Sequence, residues 1–539
     1  MSTPIDPAAP APAFGRSLAG LALPVILLAA IAVLLLAPAI RPFLPVDETR
    51  YLSVAWEMHL SGDPFHLTMN GAAYSHKPPL LFWLINLVWW MTGPSELAAR
   101  LVGPLAAVAV LGLTGLLARR LSPDQPGLPL RATAILGATS GFLLYGGATM
   151  FDALLSVWVL IGIGAIWHLG QGGRGRLPWA ILGLAIGLGV LTKGPVVLLH
   201  LLPALLTMRF WGAAPPDLRP ALRGFALSLG IALLLVAVWL VPLLIEAEPG
   251  FLYELLWAQS ADRVSGGLGH GRPVWYLLTV LPALIFPFGW SLAVWRGIPA
   301  AVRADGAGRL LAIWALTAFV LFSLVGGKQL HYLLPELPAF AILAARALPT
   351  GRRSVLLAFV LPALFALVAL AATLGLVPAR GIDGAIGPAW VLVLAALAFA
   401  GLALAALRLP LPAGHAIAGI GTALVATLVL GLSDLGAHMD PRPLGLQLKA
   451  AEPGGLAVWK DNYQAEFNFA GRLTQPIAVL DDAPALSQWL ASHPQGTVLA
   501  NTDAPPGPTA PTQVTPFGTQ DWGLWPATAL TSLESAPAD

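Results

Sequence analysis

The chain has 539 residues, of which 57% are hydrophobic and only 10% charged, with a mean hydropathy of +0.77. A water-soluble domain carries about 25% charged residues, so this composition excludes one. The net charge of +2, from 29 basic and 27 acidic residues, includes no basic stripe for nucleic acid. Zero cysteines exclude disulfides, thiolate metal sites and cysteine nucleophiles.

Residues 1–15 are Ala/Pro-rich and read as a disordered start. The apolar run from Arg16 to Ile40 is too long for a signal peptide and predicts a retained first span. Runs of about 20 apolar residues then recur without the alternation of a barrel, so they predict helices that cross a ~30 Å hydrocarbon core. About 13 spans result, at roughly 18–40, 97–118, 132–149, 153–170, 178–192, 194–208, 224–245, 275–295, 310–326, 332–347, 354–377, 389–407 and 413–433. The short stretch 78–91 starts with two prolines and carries Trp83, Trp89 and Trp90, which suits a helix lying flat at the membrane interface.

Arginine placement supports the flat helix. With it, 16 basic residues fall on one side in short loops, among them Arg16, Arg119, Arg120, Arg131, Arg303, Arg309 and Arg346. By the positive-inside rule that side is cytoplasmic. The opposite face holds Asp47, Glu48, Lys77, Asp152, Lys193, His270, Arg272 and Lys328, with two long loops at about 41–96 and 246–274. From about residue 435 the composition shifts. LAVWK, PIAVLDD and TVLAN read as strands and PALSQWLASH as a helix, predicting a small α/β domain over 435–539 with a disordered Pro/Thr-rich end.

The candidate chemistry gathers on that outer face. Asp47-Glu48 follows the first span, where charge needs a partner or a use: either Arg50 pairs with it, or a carboxylate orients or deprotonates an acceptor. Lys77 either reaches headgroups or grips a phosphate, and Lys193 has the same choice. Asp152 reads as a helix cap or as a functional carboxylate. The glycine-rich loop 265–273 places His270 and Arg272 where an anionic ligand could be covered. Glu336, between Pro335 and Pro338, is an ionisable group inside a span. No GxxxxGK[ST] motif occurs, so nothing points to ATP-driven transport.

An Asp-Glu pair after the first span, then Arg-Tyr, then Tyr-x-x-Lys-Pro before a Trp-rich helix, resembles the GT-C membrane glycosyltransferases. The branch is that of the lipid A aminoarabinose transferase and the protein O-mannosyltransferases. LTKGP at 191–195, the His/Arg loop and Tyr-x-x-Pro at 332–335 follow in the same order. The resemblance implies an all-α polytopic GT-C fold with a C-terminal α/β domain, in a bacterial inner membrane with the active site facing the periplasm. It implies a polyprenyl-phosphate-linked sugar donor, inverting transfer to lipid A, another glycan or a protein, and no nucleotide cofactor. It implies Asp47 and Asp152 as catalytic carboxylates, and Arg50, Tyr51, Tyr74, Lys77, Lys193, Arg272 and Tyr332 as substrate-binding residues. His76 stands where the aminoarabinose branch has a glutamate, and with His270 it could hold a divalent metal through imidazole nitrogens. The rival class is a lipid or sugar transporter, which predicts ionisable groups at mid-membrane and internal repeats.

Overall fold

A computed structural model describes residues 13–246, 271–348 and 411–531, with a few positions between 356 and 371. The predicted spans at 354–377 and 389–407, most of the 246–274 loop and His270 lie outside the described residues. Among the described residues, seven stretches are long and apolar enough to cross a membrane: Ala22–Ile40, Glu96–Leu121, Phe151–Gly170, Leu177–Leu206, Leu218–Ile245, Gly306–Leu324 and Ala413–Leu432.

Helix α1 (Ala13–Ile40) leads into α2 (Asp47–Ser61), whose first turn holds Asp47 and Glu48, where the N-terminal dipole favours carboxylates. Gly62 ends α2 at φ 70, a left-handed position that a side chain would resist. The Trp-rich stretch forms α3 (Leu80–Thr92), 13 residues and about 20 Å long, too short to cross. It is tied to α2 by Asn86 Nδ2 donating to Ala55 O (3.0 Å) and to the preceding loop by Trp83 Nε1 donating to Pro64 O (2.7 Å).

Helices α4 (Glu96–Arg100) and α5 (Val102–Leu121) form one crossing stretch, followed by α6 (Leu128–Gly137) and α7 (Ser140–Gly146). The predicted span 132–149 is therefore broken. The break is stabilised because the Ser140 N–H released from the ladder donates to Phe286 O (2.9 Å), and the Ser140 hydroxyl adds a bond to Gly419 O (3.0 Å). Helix α8 (Phe151–Gly170) packs on α9 (Leu177–Lys193), which Gly194 at φ 80 and Pro195 separate from α10 (Val197–Leu206). Short α11 (Met208–Trp211) and long α12 (Leu218–Glu246) follow.

The predicted span 275–295 is also divided, into α13 (Tyr276–Leu284) and α14 (Leu292–Ala304), with Pro287 between them removing a backbone donor. Helix α15 (Gly306–Leu324) is continuous. The predicted span 332–347 starts as a 3₁₀ turn, Leu330–Glu336, before α16 (Leu337–Ala347). Helix α17 (Leu411–Leu432) packs on α1.

After α18 (Asp434–Met439) and α19 (Arg442–Ala451) the chain forms an α/β unit. Besides a two-stranded hairpin in the loop after α2, β1 (Thr68–Met69) and β2 (Ala72–Ala73), the strands are β3 (Leu456–Trp459), β4 (Ala478–Leu480), β5 (Thr497–Asn501), β6 (Gln513–Phe517) and β7 (Gln520–Pro526). Their order is β4-β3-β5-β7-β6; β3 runs parallel to β4 and β5, while β7 is antiparallel to both β5 and β6. Residues of α19 cover one face and α20 (Ala483–Ser492) covers the other. Strands β6 and β7 occupy part of the Pro/Thr-rich stretch that the sequence leaves without structure.

Candidate active site

Asp47 is the first residue of α2, so Arg50 and Tyr51, one turn on, lie on its side of the helix. Its Oδ1 accepts from Arg50 Nη2 (2.6 Å) and from the Tyr51 hydroxyl (2.9 Å). Burial works to raise the Asp47 pKa, but the Arg50 and Lys77 charges and the Tyr51 hydrogen bond outweigh it and hold the carboxyl below its usual range.

Glu48, about 100° further round, points into the protein. It accepts from Arg41 Nη1 (2.7 Å), Leu44 N (2.9 Å), Thr149 N (3.1 Å) and Thr149 Oγ1 (2.9 Å), with Arg100 Nε 3.6 Å away. Burial opposes its ionisation, yet Arg41 and Arg100 bring its pKa down to about 2. Glu48 thus ties the start of α2 to the ends of α1 and α4 and to the turn before α8.

Asp152, in the first turn of α8, does not cap that helix. Its Oδ1 accepts from Lys193 Nζ at 2.5 Å, and both groups are buried. Lys193 ends α9 and also lies 4.2 Å from the centroid of the Tyr332 ring. On the far side, His331 Nε2 stands 3.8 Å from Asp152 Oδ2. Burial pushes the His331 pKa down to about 4, against the pull of Asp152, so this imidazole is neutral at pH 7.

A cavity of about 530 Å³ opens among these groups. Asp47, Arg50, Tyr51, His76, Lys77, Asp152, Lys193 and Tyr332, each singled out in the sequence, line it together. Tyr74 is buried behind, its ring 5.2 Å from that of His76 and 6.2 Å from Phe82. Arg272 is not among the lining residues: its guanidinium lies 5.2 Å from the Tyr276 ring and its N–H donates to Gly326 O, beside the cavity-lining Gly327. His270 lies outside the described residues, and among those described no group of three His, Asp or Glu side chains could hold a metal ion.

The sequence reading missed His331, Gln329, Asn462 and Gln464 in the lining. His331 adjoins Tyr332 and was legible by position. Asn462 and Gln464 sit more than 400 residues from Asp47, and only folding brings them near. Lys328 and Glu336 serve elsewhere: Lys328 Nζ donates to Ser323 O (2.7 Å), and Glu336 Oε1 meets His200 Nδ1 at 2.5 Å inside the helix bundle.

Residues 76–244 match the dolichyl-phosphate-mannose-protein mannosyltransferase family. Two undecaprenyl phosphate-α-4-amino-4-deoxy-L-arabinose arabinosyl transferases are similar in sequence, from Pseudomonas aeruginosa (33% identity over 56% of this chain and 55% of the other) and Edwardsiella ictaluri (30% over 56% and 54%). The chain thus spans about half the length of the curated relatives it matches. The crystal structure of ArnT from Cupriavidus metallidurans bound to undecaprenyl phosphate superimposes with a TM-score of 0.72 at 21% identity, covering 98% of this chain and 100% of that one. The apo form gives the same score at 22% identity. The chain is related to the GT-C membrane glycosyltransferases. Its long apolar helices and this shared fold make it a multi-pass membrane protein.

Proposed function

We propose that the protein transfers a sugar from a polyprenyl-phosphate donor to an envelope acceptor, lipid A in the first instance, on the periplasmic face of a bacterial inner membrane. The proposed organisation has about 13 crossings within residues 16–434 and an extracytoplasmic domain over 435–539. The observation that carries the reading is a single cavity holding two carboxylates, Asp47 and Asp152, among the cations Arg50, Lys77 and Lys193. A transporter would want such groups at mid-membrane. The buried pair His200–Glu336 has that kind of location, but its two members bond each other.

In the proposed reaction the acceptor oxygen attacks the anomeric carbon as its bond to the lipid phosphate breaks, with inversion. Charge grows on the departing phosphate, and cations fixed beforehand stabilise it without reorganising. Lys77, which lines the cavity beside Asp47, is the residue proposed for that contact. Asp47 orients the acceptor and takes its proton if it is a hydroxyl; a phosphate acceptor needs positioning only. Neutral His331 and Tyr332 shape the wall beside Asp152.

The test is turnover of undecaprenyl phosphate-α-4-amino-4-deoxy-L-arabinose by the purified protein in proteoliposomes with lipid A. Wild type is expected to release undecaprenyl phosphate in step with sugar transfer. Lys77→Ala should raise donor KM about ten- to a hundred-fold, the worth of one hydrogen bond to a charged group. Sugar movement across sealed vesicles without phosphate release would overturn the reading in favour of transport.

A further inference from the structure

The loop 460–466 leaves the carboxyl end of β3, the strand flanked by parallel β4 and β5. The chain passes from β3 to β4 on one side and then back to β5 on the other, so the loop stands where the winding direction changes. Parallel α/β sheets hold their ligands outside the carboxyl ends of strands at such a point. Here two residues of the loop, Asn462 and Gln464, line the cavity described above, together with Asp47.

The loop is fixed in place. Lys460 (φ 50) and Ala465 (φ 59) adopt left-handed backbone conformations that residues with a Cβ rarely take. Buried Ser53 of α2 secures the second of these, its hydroxyl donating to Ala465 O (2.7 Å) and accepting from Phe469 N (3.1 Å), while Lys460 N–H donates to Leu480 O (2.8 Å). Gln464 N–H donates to Glu466 Oε2 (2.9 Å), and Gln464 Nε2 donates to Asn462 Oδ1 (2.9 Å). That leaves the amide oxygen directed one way, and it accepts from Arg50 Nη1 at 3.2 Å. The same guanidinium donates through Nη2 to Asp47. Arg50 is thus held at both ends, by a carboxylate of the membrane part and by an amide of the C-terminal unit.

We infer that Gln464 is a positioning residue for Asp47, acting through Arg50, and that the C-terminal α/β unit is therefore part of the active site rather than an appended domain. The inference rests on the transferase reading above. A single amide supplies this function well: it accepts from Arg50 without adding a second negative charge that would compete with Asp47 for the same cation.

The titratable groups that act on Asp47 are Arg50, by its charge, and Tyr51, by its hydrogen bond, from its own helix, Lys77 from the loop before α3, and His331 from the 3₁₀ turn, which carries charge only well below pH 7. Displacing Arg50 removes one of the influences that hold the Asp47 carboxyl low, so its pKa rises. If turnover needs ionised Asp47, the acid limb of kcat then moves to higher pH.

The experiment compares the full chain with Gln464→Met and Gln464→Glu in proteoliposomes, using the donor and lipid A named above across pH 5–9. Gln464→Met is expected to lower kcat about ten-fold with donor KM changed little, and to shift the acid limb upward. Gln464→Glu keeps an acceptor for Arg50 and should recover most of kcat at alkaline pH while leaving the limb shifted. Wild-type kcat and an unmoved limb in Gln464→Met would overturn the inference. So would a loss that follows only the amount of folded protein, measured by thermal unfolding of the same samples, because the unit would then be a scaffold. A wild-type protein that does not turn over this donor at all overturns the transferase reading and this inference with it.

Discussion

Asp47 and Glu48 are neighbours in the chain with different surroundings. Asp47 opens onto the cavity with one arginine and one tyrosine; Glu48 is enclosed by two arginines and the Thr149 backbone. Replacing Asp47 with Asn keeps its shape and removes its charge and basicity. If it acts as a base, single-turnover transfer at saturating donor should fall by about 10² to 10⁴ with folding intact. Near-normal turnover would rule that role out. Glu48→Gln should fail differently: it leaves Arg41 and Arg100 buried without their counter-charge, a loss of about 3 kcal/mol in stability. Its turnover per folded molecule should stay close to wild type. The pH dependence follows from the depressed Glu48 pKa. The stabilisation is complete above the ordinary value of 4.5 and is lost as pH falls through about 2. Thermal unfolding of wild type and Glu48→Gln at pH 7 and pH 3 checks this; an equal gap between the two proteins at both pH values would count against it.

At the scale of elements, the position of Lys193 depends on how closely α9 approaches α12. A Cβ on Gly183 would lie 2.6 Å from Ser228 O and 2.9 Å from its Cα, and one on Gly187 would lie 3.0 Å from Ala232 Cα. Small residues four apart allow such contact between helices in a membrane, where packing rather than water exclusion drives association. The Ser228 hydroxyl donates to Trp179 O (2.6 Å) and stitches the same interface. Gly183→Ala must push the backbones apart and should cost about 1–3 kcal/mol. Because α9 ends in Lys193, the shift should also weaken the ion pair with Asp152. An unchanged unfolding temperature in Gly183→Ala would show that the interface has slack which this geometry denies. The 3₁₀ turn Leu330–Glu336 has a comparable use: it places His331 and Tyr332 in the cavity lining.

Over the whole molecule, arginines gather at one end of α5, α12 and α15. Helix α15 runs about 28 Å from Asp305, which pairs with Arg346, to Ser323, whose carbonyl accepts from Lys328 near the 3₁₀ turn. Helix α8 runs the opposite way, from Asp152 at the site end to His168. On the proposed orientation, with the arginine end cytoplasmic by the positive-inside rule, the C-terminal unit would lie outside. The cysteine-free chain allows a direct check. Single cysteines at exposed Gln125 and Gln488 are probed in intact cells with an impermeant maleimide. Position 488 should label and position 125 should not. The reverse pattern would invert the topology and move the cavity to the cytoplasmic face.

Apolar periodicity, arginine asymmetry and local motifs were enough to reveal a helical membrane chain, its one-sided chemistry and most of the cavity's charged residues. These signals are local: a span is about 20 consecutive residues, and a motif such as Tyr-x-x-Lys-Pro is read within one loop. Strands β3 to β5 were legible for the same reason. Folding alone decided the partners. That Asp152 answers to Lys193, that Glu48 is enclosed while Asp47 is exposed to the cavity, and that Gln464 reaches Arg50 across 414 positions are facts of three-dimensional proximity. The breaks in the predicted spans belong there too. A buried helix interrupts its ladder where another segment receives the released group, as Phe286 O receives the Ser140 N–H, and such partners are invisible along the chain.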